Sequence, residues 1–149
     1  MPETSRRNGI SYYKMITEKK AEGKKSFDLA TRYLDNARKE LALAKKNGKY
    51  YEDTKHVSMA CGAAYKGTLV ALDAILLLRG IEREKKKKAS IEFYEYHLAK
   101  IDKKILHSLN DVYEILHLAG YYNEFNNVKI ILLAFQEAEN ILKKLKGML

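Results

Sequence analysis

His107, Asp111 and Glu114 stand at i, i+4 and i+7 of one helical stretch, so their side chains share a face. A histidine and two carboxylates in that register could hold a divalent cation. No second ligand pair accompanies them, so the expected reading is a solvated polar face and no metal. His117 falls one helical turn after Tyr113 and is expected at the edge of the core as a hydrogen-bonded structural histidine. His56 follows Glu52 and Asp53, a charged group at a helix start. The single cysteine, Cys61, could act as a nucleophile only beside a cation or a base. Its helical neighbours are apolar, so it reads as a small hydrophobe. No phosphate-binding glycine loop, dinucleotide fingerprint, C-x-x-C pair or nucleophile elbow occurs. No cofactor and no catalytic residue is therefore expected.

Two further groups bear on binding. Tyr50-Tyr51 and Tyr121-Tyr122 each follow closely on a glycine, where an aromatic pair could pack a loop onto the fold or stack on a base. The segment RGIEREKKKKA carries Arg79, Arg83, Lys85, Lys86, Lys87 and Lys88 against two acids. It has no apolar pattern, reads as a surface loop, and is the candidate contact for an anion or nucleic acid.

These residues need elements to place them. One proline, at Pro2, and abundant Ala, Leu, Lys and Glu favour helix throughout. Residues 1–25 carry a weak apolar set, Ile10, Tyr13 and Ile16, and read as a basic, weakly helical extension. A helix from about Phe27 to Lys46 has Ser26 as its expected N-cap, a seam of Phe27, Ala30, Leu34, Ala37, Leu41 and Ala44, and Asn47-Gly48 as its stop. The second helix is long, about seven turns. Ala60, Ala64, Leu72, Ile75 and Leu76 recur at three- and four-residue steps, and Gly80 follows Arg79 where a left-handed cap belongs. Small side chains between Ala60 and Gly67 allow another backbone to approach, from this chain or from a second copy.

Ser90 caps a third helix to about Lys100, with Phe93, Tyr94, His97 and Ile101 inward. A fourth runs from about Asp102 to Ala119 through Ile105, Leu109, Val112, Tyr113 and Leu116, with Gly120 as its stop. Asn126 is the expected cap of a fifth, to about Leu145. No strand is expected. Residues 26–149 thus read as one all-α domain, an antiparallel up-and-down bundle of four to five main helices.

The order of parts, NGKYYED, ALDAILLLRG, SIEFYEYHLAKID and ILHLAGYYNEF, resembles the HEPN superfamily of small helical bundles from about Tyr33 to Leu145. It resembles most closely a bacterial branch with no assigned function. The resemblance implies an up-and-down bundle that dimerises through long helices, and a superfamily in which many members are ribonucleases of toxin–antitoxin or immunity systems. Their signature is an arginine followed a few residues later by a histidine. None of Arg6, Arg7, Arg32, Arg38, Arg79 and Arg83 has a histidine five to seven positions on. Asp102 and Val112 stand five residues ahead of His107 and His117, and neither can hold a phosphate.

The formal net charge is +9, from 28 Lys and Arg against 19 Asp and Glu. Such a surface admits acidic partners and also keeps a small helical protein soluble. One cysteine, a polar first 25 residues and apolar runs, such as Ala74 to Leu78, far shorter than the roughly 20 residues of a span point to the cytoplasm, with no membrane span. The functional expectation is a non-catalytic HEPN-like interaction module with a protein partner. It acts as a homodimer through Ala60, Ala64, Gly67 and Leu118. The alternative is RNA or nucleotide binding through residues 79–88.

Overall fold

A computed structural model describes residues 2–84 and 90–149, with side chains described from residue 11 onward. Five α-helices and one π-helix build an all-α bundle: α1 (Pro2–Ala42), α2 (Thr54–Leu78), α3 (Ile91–Ile101), α4 (Lys103–Val112), the π-helix (Tyr113–Tyr122) and α5 (Val128–Lys146). Two short strands, β1 (Lys46–Asn47) and β2 (Tyr50–Tyr51), pair antiparallel between α1 and α2, where no strand was expected. Their two-residue loop needs a positive φ at its first position, and Gly48 supplies it at 62°.

Helix α1 buries the expected seam, Phe27, Ala30, Leu34, Ala37 and Leu41, against α2. Each large member removed from water contributes about 1.5–3 kcal/mol. Ser26 is not an N-cap. The seam extends backward through Gly23, which packs on Leu78, so the helix continues unbroken to Pro2. At the other end α1 stops at Ala42, four residues before the expected end at Lys46. Leu43 and Ala44 tighten the last turn by donating to Glu40 and Leu41, and the hairpin takes over.

Asp53 caps α2 by accepting from Lys55 N–H. At its C-terminus Gly80 adopts φ 78°, with Gly80 N–H donating to Leu77 O and Ile81 N–H to Leu76 O. This is the paired left-handed cap that the sequence position of Gly80 implies. Among the described residues α2 alone is long and apolar enough to cross a membrane, and 67% of that stretch is buried inside the bundle. Run length alone understates this helix, because Lys66 and Asp73 cut its apolar stretch into short pieces without making the whole polar.

Ser90 caps α3 as expected, accepting from Phe93 N–H at 3.3 Å. The fully buried residues of α3 are Tyr94 and Leu98, whereas Phe93, His97 and Ile101 are half-buried. Asp102 breaks the chain between α3 and α4: its extended backbone ends one helix and its carboxylate caps the next. Asn127, not Asn126, caps α5. Asn126 instead exchanges two hydrogen bonds with the Tyr51 backbone, pinning the hairpin to the start of α5.

Candidate functional site: an aromatic groove on the π-helix

The fourth helical stretch changes character at Tyr113. From there to Tyr122 the helix is wound with the wider π repeat, and Asn123 N–H still donates five residues back, to Leu118 O. Gly120 is therefore no stop. It lies buried inside the π-helix against Cys61 of α2, and a Cβ built on it would stand 2.5 Å from the Cys61 sulfur. At the next residue of α2, Gly62 admits the Tyr121 ring, which would lie 2.9 Å from a Cβ there. Two glycines on facing elements thus set the distance between the π-helix and α2. Ser58 Oγ closes the contact by donating to Tyr121 O at 2.9 Å. Long π-helical segments are uncommon and occur often at functional sites.

The spacing i, i+4, i+8 along the π-helix brings Tyr113, His117 and Tyr121 into one row. The His117 ring stacks on Tyr65 of α2 at 4.5 Å and 23°, and lies nearly parallel to Tyr121 at 6.2 Å and 12°. Tyr122 meets both His117 and Tyr121 edge-on at 5.0 Å. The row walls a groove of about 650 Å³, with Met59 and Lys66 of α2 and the start of α3 on its other sides. Tyr65 is buried, while Tyr121 and Tyr122 are exposed.

The expected hydrogen bond to His117 is not formed: its ring nitrogens have no partner among the described residues, and burial lowers its pKa from the usual imidazole value. At neutral pH it is an uncharged flat ring. Burial likewise raises the Tyr65 hydroxyl, with Tyr113 adding to the effect. The groove presents π-faces with one ammonium group, Lys66, and one carboxylate, Glu92, at its edges, which suits packing against a flat or apolar partner.

The other sequence candidates fall elsewhere. Cys61 is fully buried and its thiol is pushed up to about 12 by desolvation, so it packs as a small hydrophobe. His56 is held by Glu40 at 2.8 Å, a residue of α1 that the local sequence around His56 does not reveal. His107 is 83% exposed and approaches Asp111 at 3.9 Å. Asp111 in turn faces Glu137 of α5, whose carboxyl is raised to about 7 by burial and by that neighbouring acid. Among the described residues no group of three or more potential ligands gathers for a metal.

Ala60 and Ala64 are fully buried inside the chain's own bundle. A Cβ on Gly67 would meet Tyr33 and Leu34 of α1 at 2.8 Å. These three residues are therefore not a surface for a second copy, because α1 already occupies that face. Leu118 is 38% exposed and remains available. Of the basic segment, Arg79 is exposed and Arg83 lies 3.5 Å from Asp73, which also accepts from the buried Tyr94 hydroxyl at 2.8 Å. Arg83 is thus engaged by the fold. Lys85, Lys86, Lys87 and Lys88 lie outside the described residues.

Of the tandem tyrosines, Tyr51 is buried at the hairpin and Tyr50 exposed. Sequence reasoning placed Tyr113 and His117 as neighbours but missed Tyr65, Met59 and Lys66, whose place in the groove depends on how α2 crosses the π-helix. The pattern Tyr113, His117, Tyr121 was the signal for the row itself.

The comparisons agree with this architecture. A solved structure of a protein of unknown function from Dyadobacter fermentans matches with a TM-score of 0.77 and 34% identity, over 85% of this chain and 98% of that one. No curated protein matches the sequence. Residues 25–147 match the family described as a domain of unknown function, DUF5618, and the chain belongs to that family.

Proposed function

We propose that the protein is a non-catalytic, HEPN-like interaction module that acts in the cytoplasm as a homodimer through the outer face of the π-helix. The observation that supports this best is the state of His117. It is an uncharged ring in an aromatic stack, and among the described residues neither a carboxylate bonds it to orient it nor a guanidinium stands beside it to hold a phosphate. Around it Met59, Leu118, Tyr121 and Tyr122 are all exposed apolar or aromatic side chains, the residue types that interface centres favour. Leu118 thus keeps the role expected of it, while Met59 replaces Ala60, Ala64 and Gly67 as the contribution of α2. The HEPN-like relationship rests on the order of helices and on the bundle they form.

Sedimentation at tens of micromolar tests the dimer. A dimer that dissociates in Leu118→Glu and Tyr122→Glu supports the proposal; a wild-type monomer overturns it. RNA cleavage by purified protein, abolished by His117→Ala or His107→Ala, would overturn the non-catalytic part.

A second reading, nucleotide or RNA binding, is favoured by the exposed Tyr121 ring, which shares the groove with Lys66 and has the exposed Tyr122 edge-on to it. The two readings separate by salt. Phosphate contacts weaken steeply between low and physiological salt, whereas docking of an apolar face barely changes.

A further inference from the structure

At the end of the bundle away from the hairpin, α1 runs on past the last turn of α2 and leaves a ledge of about 820 Å³ between itself and the ends of α2 and α5. Its floor is aliphatic: Ile16, Leu78, Met148 and Leu149. Its rim carries five cations, Lys19, Lys20, Lys24, Arg79 and Lys146, and no Asp or Glu lines it. None of the five has an ion-pair partner among the described residues. The C-termini of α2 and α5 aim partial negative charge here, roughly half a charge each, which five full charges exceed.

We infer that this ledge docks an acidic amphipathic helix of a partner protein. The inference takes the chain as an interaction module but uses a surface separate from the aromatic groove. Charge complementarity sets the sign of the partner, because unpaired cations around an apolar floor call for carboxylates flanking an apolar stripe. The wall sets its shape. The part of α1 that lines the ledge, Ile16 to Lys24, is continuous helix of about 12 Å, a rod against which a second helix can lie. Tyr12, Tyr13 and Met15 are exposed on the turn before it. Neither tyrosine lines the ledge, and its aliphatic floor gives leucine side chains a packing surface that the bases of single-stranded RNA, which stack on aromatic rings, do not gain.

The test is fluorescence anisotropy with a labelled helical peptide of leucine and glutamate, its leucines at i, i+3, i+4 and i+7. Three comparators are used: the same pattern with lysine for glutamate, the leucine–glutamate composition scrambled, and a labelled RNA oligonucleotide. The patterned acidic peptide is expected to bind. Lys19→Glu/Lys20→Glu/Lys24→Glu should weaken it about tenfold or more, since three exposed pairs are each lost and reversed. Leu149→Ser, which trims an exposed floor residue, should weaken it by a smaller factor.

Tyr121→Ala should leave this binding unchanged, so failure of the aromatic-groove reading and failure of this one are separable. If the triple variant loses helicity by circular dichroism, Lys20→Glu alone serves, because Lys20 is exposed. Equal binding of the scrambled or lysine peptide, tighter binding of RNA, or full affinity in the charge-reversed variant would each overturn the inference.

Discussion

Helix α2 meets two neighbours through small residues and reaches opposite results on its two sides. Toward α1 it presents Ala60, Ala64 and Gly67, and the contact is dry, with Ala30, Leu34 and Ala37 closing over it. Toward the π-helix it presents Cys61 and Gly62, and that contact is tight at one line only, opening at once into the aromatic groove. The difference lies in the partner. A regular helix offers a continuous seam at three- and four-residue spacing, so small residues on both sides let the two mesh along their length. A π-helix has a wider turn, so beyond the close approach at Gly120 and Tyr121 it meets α2 through the rings of Tyr113 and His117 on Tyr65, with a groove beside them. The same device therefore makes core in one place and an accessible site in the other.

Gly67→Ala should break the dry side most severely. The added methyl would sit 2.8 Å from Tyr33 Cβ and 3.1 Å from Ala30 O, atoms fixed to the α1 backbone that no side-chain rotation can move. Overpacking of this kind costs about 1–3 kcal/mol. Relief of the glycine helix penalty, about 1 kcal/mol, offsets part of it. A chemical-denaturation midpoint equal to that of wild type would show that α1 slides freely on α2, and the contrast between the two sides would fail.

Gly120→Ala should come next. Its methyl meets the Cys61 sulfur at 2.5 Å, but also Cys61 Cβ at 3.0 Å, so rotating the thiol away relieves only part of the clash. The expected loss is about 1–2 kcal/mol, and Cys61→Ala should recover some of it. A double-mutant cycle from denaturation curves reads this directly. Strict additivity would mean that the two residues do not set the π-helix distance.

How much of this was legible beforehand follows from the range of each cause. The Gly80 cap, the α1 seam and the core stripe of α4 are local patterns, and the residues carry them openly. Ser26 misled because capping chemistry is local while the continuation of α1 depends on Gly23 meeting Leu78, a residue 55 positions on. Gly120 misled for the same reason: a glycine after an apolar stripe reads as a stop, whereas here it is required by Cys61 on another helix. Asn126 lost the cap to its neighbour because the hairpin claims its side chain. In the groove the row Tyr113, His117, Tyr121 was visible, but the wall supplied by α2 was not. The cations of the ledge, Lys19, Lys20, Lys24 and Lys146, sit far from Arg79 in the chain and converge only in three dimensions.

Away from both faces of α2, the α4–α5 contact titrates. Glu137 is raised from an ordinary 4.5 to about 7, by burial first and then by Asp111. Its folded-state pKa lies above the unfolded one, so the folded form holds the proton more tightly. The associated stability is fully present below pH 4.5 and is lost as pH rises through about 7. His117 has the opposite sign: its lowered pKa means that stability is lost as pH falls below the usual imidazole value of 6.5. Glu137→Gln should remove the loss on the alkaline side and leave the acid side intact. Thermal melts across this range read the two arms separately, and an unchanged alkaline arm would remove Glu137 as its source.

Gly62→Ala is the smallest expected effect on stability and the sharpest probe of the open side. The atoms nearest its methyl would be those of the Tyr121 ring, the first at 2.9 Å, and that ring is exposed, so it has solvent to swing into. The helix gain of about 1 kcal/mol should then roughly cancel the cost of moving the ring, leaving the denaturation midpoint nearly unchanged. The groove should nevertheless change, because Tyr121 can no longer lie on α2 parallel to His117. Near-ultraviolet circular dichroism, or the ring resonances of Tyr121, should shift while far-ultraviolet ellipticity stays constant. Under the dimer proposal the same variant should weaken self-association that Gly67→Ala leaves intact in its folded fraction. If both glycine variants altered stability alike and neither moved the rings, the two sides of α2 would be doing the same job.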